Sequence, residues 1–408
     1  MYHCRFCNHP LTEVFADLGS SPLANSYLDA EQMVLMEPFY PLCAYVCEAC
    51  LLVQLPMFET AQAIFSDYAY FSSFSDSWLQ HAKAYVSMMV DRFNLDRSRQ
   101  VIEIASNDGY LLQYFKERGI SVLGVEPAKN VAQAAIAADI PTRTDFFGQA
   151  TAREMVAAGQ TADLLIGNNV LAHVPDLNDF VAGMKIVLKP DGLFTMEFPH
   201  LMRLMEENQF DTIYHEHFSY YSFITVNSIF KSHGLRIFDV ERISTHGGSL
   251  RIFGCHAEQE NRKTTGNTDA LLADEKAYGL DNLETYRRFN NQVKSTKREI
   301  LKFMTDIADQ GHSIVGYGAP AKGNTLLNYC GIRNDMLPYT VDRSPHKQNH
   351  FLPGTRIPIF APEKIAEDKP DFVLILPWNI KEEIMTQMDR IRSWGGRFVT
   401  FIPQVRVH

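Results

Sequence analysis

A chain of 408 residues is too long for a single hydrophobic core and sets an expectation of two or three domains. With 46% hydrophobic and 21% charged residues, each domain can bury a core, as expected of a soluble globular protein. A formal net charge of −10 opposes the lysine- and arginine-rich surface that phosphate-backbone binding needs, which argues against nucleic acid as a partner.

The opening Met1-Tyr2-His3-Cys4 lacks the regions of a signal peptide, and no apolar run is long enough to span a bilayer, so a cytoplasmic protein with no membrane partner is expected. Two cysteine pairs, Cys4-Arg5-Phe6-Cys7 and Cys47-Glu48-Ala49-Cys50, dominate the first sixty residues. Zinc takes four thiolates in a tetrahedron, and each CxxC turn supplies two with little strain. This points to a structural Zn2+ on Cys4, Cys7, Cys47 and Cys50. Cys43 lies close enough in sequence to replace one of them. Gly19 to Pro22 reads as turn-rich, and short apolar pieces such as Leu51 to Leu55 are too few for a self-sufficient core. Trp78, Ala82, Tyr85, Met89 and Phe93 then recur at helical spacing and predict an amphipathic helix.

From Gln100 to about Glu197 strands and helices alternate. Strands are predicted at Val101 to Ala105, Val122 to Val125, Leu164 to Gly167 and Leu193 to Phe198, with helices at Tyr110 to Arg118, Asn130 to Ala138 and Leu177 to Leu188. This is the pattern of a doubly wound α/β sheet. A helix near Val226 to Ser232 follows, then Arg236 to Arg242 and Ser249 to Cys255, joined through Thr245-His246-Gly247-Gly248, as an antiparallel hairpin. A hairpin closing a parallel sheet resembles class I S-adenosylmethionine (SAM) methyltransferases more than nicotinamide-binding domains. Glu258 to Asp269 is polar, lacks periodicity and is expected to be a connecting loop. Leu283, Tyr286, Phe289, Val293, Ile300, Phe303 and Ile307 trace one face of a long helix. The turn Gly316-Tyr317-Gly318-Ala319-Pro320-Ala321-Lys322-Gly323 then opens a second Rossmann-like unit, with strands at Ser313 to Tyr317 and ending at Asp342, near Leu376 and near Phe401.

A cofactor approaching the end of a first strand needs small residues and free amides. Glu103, Ser106, Asn107 and Gly109 in Glu103-Ile104-Ala105-Ser106-Asn107-Asp108-Gly109 supply part of this, without the usual glycine run. Glu126, ending the next strand, can accept both ribose hydroxyls. Asp145 and Phe146 stand where an adenine could lie, and Asn168 and Asn169 where a methionine moiety would. Tyr214-His215-Glu216-His217 places two imidazoles, a carboxylate and a phenol after the fifth strand, at the mouth of the crevice. Histidine beside glutamate suits proton abstraction from carbon.

The whole chain resembles the C-methyltransferases that act on nucleotide-linked 4-keto-deoxysugars. The resemblance rests on the paired CxxC module, Asp67-Tyr68-Ala69-Tyr70-Phe71-Ser72-Ser73, Glu103 to Gly109, Gly124-Val125-Glu126-Pro127, Asn168-Asn169-Val170-Leu171-Ala172-His173, Tyr214 to Tyr220, and Gly316 to Thr325. Asn349 departs from it, standing where glycine is usual. The resemblance implies a zinc-binding module with a substrate-side segment (1–75) and a SAM-binding methyltransferase domain (76–258). A linker with the long helix (259–311) and a C-terminal Rossmann-like domain that helps hold the nucleotide sugar (312–408) would follow. It implies methyl transfer to carbon 3 of a dTDP- or GDP-linked 4-keto-6-deoxyhexose through an enolate, by a monomer or homodimer. His217 is the expected base or relay, Glu216 its orienting partner, and Tyr214, Tyr68 and His173 the groups around the enolate oxygen. Lys322, Asn324 and Arg343 are expected on the sugar nucleotide. A zinc-ribbon RNA methyltransferase and a non-catalytic nucleotide-sugar binding protein are the alternatives. The net acidity opposes the first, and the clustered imidazoles oppose the second.

Overall fold

The computed structural model describes residues 2–60, 62, 71–74 and 76–408, so the expectations for Tyr68 lie outside the described residues. In the N-terminal part, β1 (Glu13–Ser21), β2 (Tyr40–Val46) and β3 (Val53–Gln54) pair antiparallel. The stretch from Gly19 expected to turn is instead the end of β1. Gly19 takes φ 74°, and the register with β2 shifts between Asp17 and Ser20, so one extra residue is absorbed as a bulge. This small sheet has too few apolar residues to stand alone. It packs on the long helix Leu283–Asp309, where Phe15 stacks on Phe289 with centroids 4.7 Å apart.

The middle of the chain forms β4 (Gln100–Ile104), β5 (Ser121–Val125), β6 (Thr142–Arg143), β7 (Ala162–Asn168) and β8 (Leu188–Pro199). β9 (Ser219–Tyr220), β10 (Leu235–Ile243) and β11 (Ser249–His256) follow. Seven of these make one sheet in the order β10-β11-β8-β7-β4-β5-β6, with β11 antiparallel to both neighbours. This is the class I SAM methyltransferase arrangement. The chain leaves β4 toward β6 on one side and returns to β7 on the other, so the crevice opens at the carboxyl ends of β4 and β7. The remaining strand, β9, pairs with β3 and completes the N-terminal sheet in the order β1-β2-β3-β9. The loop between β8 and β9 is therefore strung from one sheet to the other.

The third sheet contains β12 (Ile314–Tyr317), β13 (Thr340–Val341), β14 (Ile359–Phe360), β15 (Phe372–Ile375), β16 (Arg397–Thr400) and β17 (Arg406–Val407). Its order is β14-β13-β12-β15-β16-β17, parallel except for β17. The Gly-rich turn after β12 leads into the helix Ala321–Cys330. One expected loop is corrected. The polar segment from Glu258 runs into a helix, Gly266–Tyr278, whose buried residues are Thr268, Leu271 and Glu275. Two of these three are polar, which is why no apolar period marks it. Glu275 accepts from the amides of Phe223 (2.5 Å) and Ile224 (2.8 Å) and pairs with His200 at 2.6 Å. Asn349 sits at φ 64°, so the position that favours glycine is a left-handed one that asparagine tolerates. Among the described residues no helix is long and apolar enough to cross a membrane.

Candidate active site and metal centre

The four paired cysteines converge. The sulfurs of Cys4, Cys7, Cys47 and Cys50 all lie within 4.8 Å of one another, while Cys43 stands apart on β2 and is not a ligand candidate. The two knuckles have the same build. The residue after each second cysteine, Asn8 or Leu51, takes a left-handed φ of 62° or 61°. The amide of each first cysteine bonds a carbonyl five residues on, Cys4 to His9 at 2.8 Å and Cys47 to Leu52 at 3.0 Å. Tetrahedral zinc with bonds of about 2.3 Å needs sulfurs roughly 3.8 Å apart, which this cluster fits. The Gln54 side chain donates to the Cys4 sulfur at 3.2 Å. Arg5, inside the first knuckle, reaches the carbonyls of Pro175 (2.8 Å) and Leu55 (2.5 Å), with its guanidinium 5.4 Å from the Phe218 ring centroid.

At the crevice, the turn after β4 takes glycine-like conformations at alternate residues. Ala105 (φ 56°), Asn107 (φ 50°) and Gly109 (φ 79°) are all left-handed, so the glycine run missing from the sequence is present in backbone shape. A Cβ at Gly109 would lie 2.9 Å from Ile140. Both carboxylate oxygens of Glu103, the Ser106 hydroxyl and one oxygen of Asp108 are buried without a partner among the described residues. Burial holds Glu103 well above the usual carboxylate range, with the charges of Glu126, Asp108 and Glu197 adding to it. A ligand bearing cationic groups and hydroxyl donors, as SAM does, fits that set of acceptors. Glu126 differs from expectation in part: its two oxygens already accept from the amides of Asn107 (3.0 Å) and Ala128 (2.9 Å), so it also braces the turn. Asp145 pairs with Arg143 at 2.9 Å and Phe146 is exposed, while Asn168 is buried and Asn169 takes φ 54° at the end of β7.

The imidazoles gather in the loop that joins the two sheets. His217 Nδ1 lies 2.9 Å from the Thr212 carbonyl, and His173 Nδ1 lies 2.9 Å from the Glu216 carbonyl. A carbonyl only accepts, so each Nδ1 carries the proton and each Nε2 carries a lone pair when the ring is neutral. Burial favours the neutral form, lowering His173 to about 4 and holding His217 well below the usual imidazole range. The His217 ring centroid is 4.0 Å from that of Tyr214 and 4.9 Å from that of His173. Two expectations change here. The group that orients His217 is the Thr212 carbonyl, because the Glu216 carboxylate instead accepts from Asn25 at 2.6 Å. Neutral His173 in this tautomer has no ring N–H left to donate to an enolate oxygen.

Tyr214, His217, Tyr220, His246 and Lys322 share a cavity of ≈ 50 Å³. Lys322, expected on the sugar nucleotide, thus reaches the imidazole cluster. It bonds Asn379 at 2.8 Å and lies 4.5 Å over the Trp378 ring, near buried Asp211, which burial raises to about 6. Asn324 is engaged elsewhere, donating to the Ala24 carbonyl at 2.6 Å. Arg343 is exposed. Sequence reasoning missed Asn25, Thr212, His246, His81 and Trp78. Trp78 stacks on His81 at 4.9 Å and meets His246 edge-on at 5.3 Å. For His246 a signal existed in the two glycines after it, both at positive φ. Thr212 acts through its carbonyl, which no side-chain pattern reveals.

Comparison with known proteins agrees with this architecture. Residues 4–65 match a family described as "Putative zinc binding domain", 78–240 a methyltransferase domain, and 244–403 a C-methyltransferase C-terminal domain. The chain is 36% identical over 404 residues to C-methyltransferase NovU of Streptomyces niveus, covering 99% of this chain and 96% of that protein. The chain belongs to this C-methyltransferase family. A ubiquinone biosynthesis O-methyltransferase of Methylobacterium nodulans is 35% identical over 97 residues, 23% of this chain and 38% of that protein. The crystal structure of magnesium protoporphyrin IX methyltransferase from Synechocystis with bound SAM is 15% identical and covers 48% of this chain and 88% of that one, with a TM-score of 0.35. For this C-methyltransferase, the methyltransferase domain supports SAM as the cofactor and the cysteine cluster supports zinc.

Proposed function

We propose that this C-methyltransferase places a methyl group on carbon 3 of a dTDP- or GDP-linked 4-keto-6-deoxyhexose, in branched deoxysugar biosynthesis. The observation that carries the reading is His217: a half-buried imidazole whose Nδ1 is committed to the Thr212 carbonyl and whose Nε2 keeps its lone pair beside Tyr214. The ketone acidifies the neighbouring C–H, and His217 Nε2 takes that proton. The Tyr214 phenol, or the Lys322 ammonium in the same cavity, stabilises the charge that develops on the enolate oxygen. His173, one ring away, serves as a relay or as the alternative base. SAM, when bound in the crevice by Glu103, Ser106, Asn107, Gly109, Glu126, Asn168 and Asn169, supplies the electrophilic methyl that the enolate carbon takes. Asp145 and Phe146 flank the adenine side. The division at residues 1–75, 76–258, 259–311 and 312–408 belongs to this proposal, with the sugar nucleotide held between the imidazole loop and the last unit.

The test is solvent exchange. With S-adenosylhomocysteine bound, the 4-keto sugar nucleotide should take up deuterium at carbon 3 from deuterium oxide, and His217→Ala should abolish the uptake. A product methylated on oxygen or nitrogen would falsify carbon transfer to the sugar.

A further inference from the structure

The segment that follows β1 does not stay with the cysteine module. It lies against the third sheet as a strap. Asn324 donates to the Ala24 carbonyl at 2.6 Å, the Tyr27 hydroxyl donates to the Ala319 carbonyl at 2.5 Å, and Leu28 exchanges backbone hydrogen bonds with Phe351 at 3.0 and 2.8 Å. Farther on, the Gly354 amide donates to Glu37 at 2.7 Å and Arg356 to the Met33 carbonyl at 2.8 Å. Between the Ala24 and Tyr27 anchors, Asn25 faces the other way. Its amide nitrogen donates to the Glu216 carboxylate at 2.6 Å, while the residue as a whole is exposed. Glu216 itself is 4% exposed, its carbonyl holds His173, and His217 follows it in the chain.

We propose that Asn25 is a positioning residue for the methyl transfer, fixing the Glu216 carboxylate as a hydrogen-bond acceptor in the imidazole loop from a strap anchored on the Gly-rich turn. The proposal rests on the reading of the imidazole loop as the active site, and it gives the Glu216 carboxylate, which does not orient His217, a part in that site through the residue whose carbonyl holds His173. Burial raises Glu216 to about 7, and the Asn25 hydrogen bond opposes the rise. The groups facing this corner are the Tyr27 phenol on the strap, Lys347 and Asp342 around Tyr27 from the third sheet, and His173 and His217 on the loop. Both imidazoles are held neutral by burial. A donor to a carboxylate favours its charged form, so losing the donor moves Glu216 ionisation to higher pH.

The test pairs a titration with kinetics on the full chain. Carboxyl-carbon NMR of protein carrying 13C-labelled glutamate follows Glu216, assigned by the resonance absent in Glu216→Gln. Asn25→Ala should raise its midpoint by about one pH unit. The isosteric Asn25→Asp, which removes the donor without emptying the site, should raise it at least as far. The Glu216-dependent limb of kcat/KM should move with it, about tenfold in rate at a pH on the limb, with SAM affinity unchanged. A midpoint that stays in place in both variants overturns the Asn25 assignment. A midpoint that moves while kcat/KM does not, or a Glu216→Gln profile identical to wild type, overturns the reading of Glu216 beneath it.

Discussion

Replacing Arg5 should cost activity without costing metal. The side chain lies between two zinc-ligating cysteines in sequence yet spends its donors on the carbonyls of Pro175 and Leu55, at 2.8 and 2.5 Å. Pro175 is two residues past His173, and Phe218, against which the guanidinium rests, is the neighbour of His217. Hydrogen bonds from a charged donor contribute about 1.5–3 kcal/mol each. The burial that lowers the Arg5 pKa shows that part of this gain offsets desolvation of the guanidinium. A net loss of about 2–3 kcal/mol is expected for Arg5→Ala, because two partly buried carbonyls lose a charged donor. Urea unfolding measures that loss, zinc content should stay at one per chain, and kcat should fall on the order of tenfold as the imidazole loop shifts. Arg5→Lys should recover about half the stability, since one ammonium does not present the forked geometry that reaches both carbonyls. A stability change below about 0.5 kcal/mol in Arg5→Ala, or loss of zinc along with activity, would refute this account of how the module supports the site.

Cys47→Ser should release the metal and destabilise the N-terminal sheet, read by metal analysis and thermal unfolding; full zinc retention would count against the tetrathiolate site. Glu126→Ala should weaken SAM by about 1–3 kcal/mol in calorimetry, and loosen the turn as well, because two backbone amides lose their acceptor. Ala105→Gly should be neutral or stabilising by up to about 1 kcal/mol and Ala105→Val destabilising, as the φ of 56° dictates; thermal unfolding checks both. His173, lowered to about 4 by desolvation, and His217, held well below the usual imidazole range, bind protons more readily unfolded than folded. Their contribution to stability is therefore full above the unfolded imidazole value near 6.5 and is lost as pH falls toward 4; denaturant curves that do not weaken over that window would contradict it.

The amino-acid sequence alone determined what is encoded over short spacings. Two CxxC turns specify a thiolate cluster because each pair is already close within one turn. The strand and helix alternation from Val101 to Phe198 specifies a doubly wound sheet because hydrophobic period and turn residues are local properties. The histidines of the 214–217 loop were legible by type and by their place after the fifth strand. What the local pattern could not carry was decided by contacts between distant residues. The helix Gly266–Tyr278 was hidden because it buries Glu275 for a remote His200 and two remote amides. The left-handed turns at Ala105 and Asn107 lack the glycines that would have announced them, and the surrounding sheet enforces them. β9 crosses to the N-terminal sheet, Thr212 rather than Glu216 orients His217, and Asn25 reaches Glu216 from nearly two hundred residues away. Each is a hydrogen bond whose partner is chosen by how the three sheets pack, and no spacing along the chain records that packing.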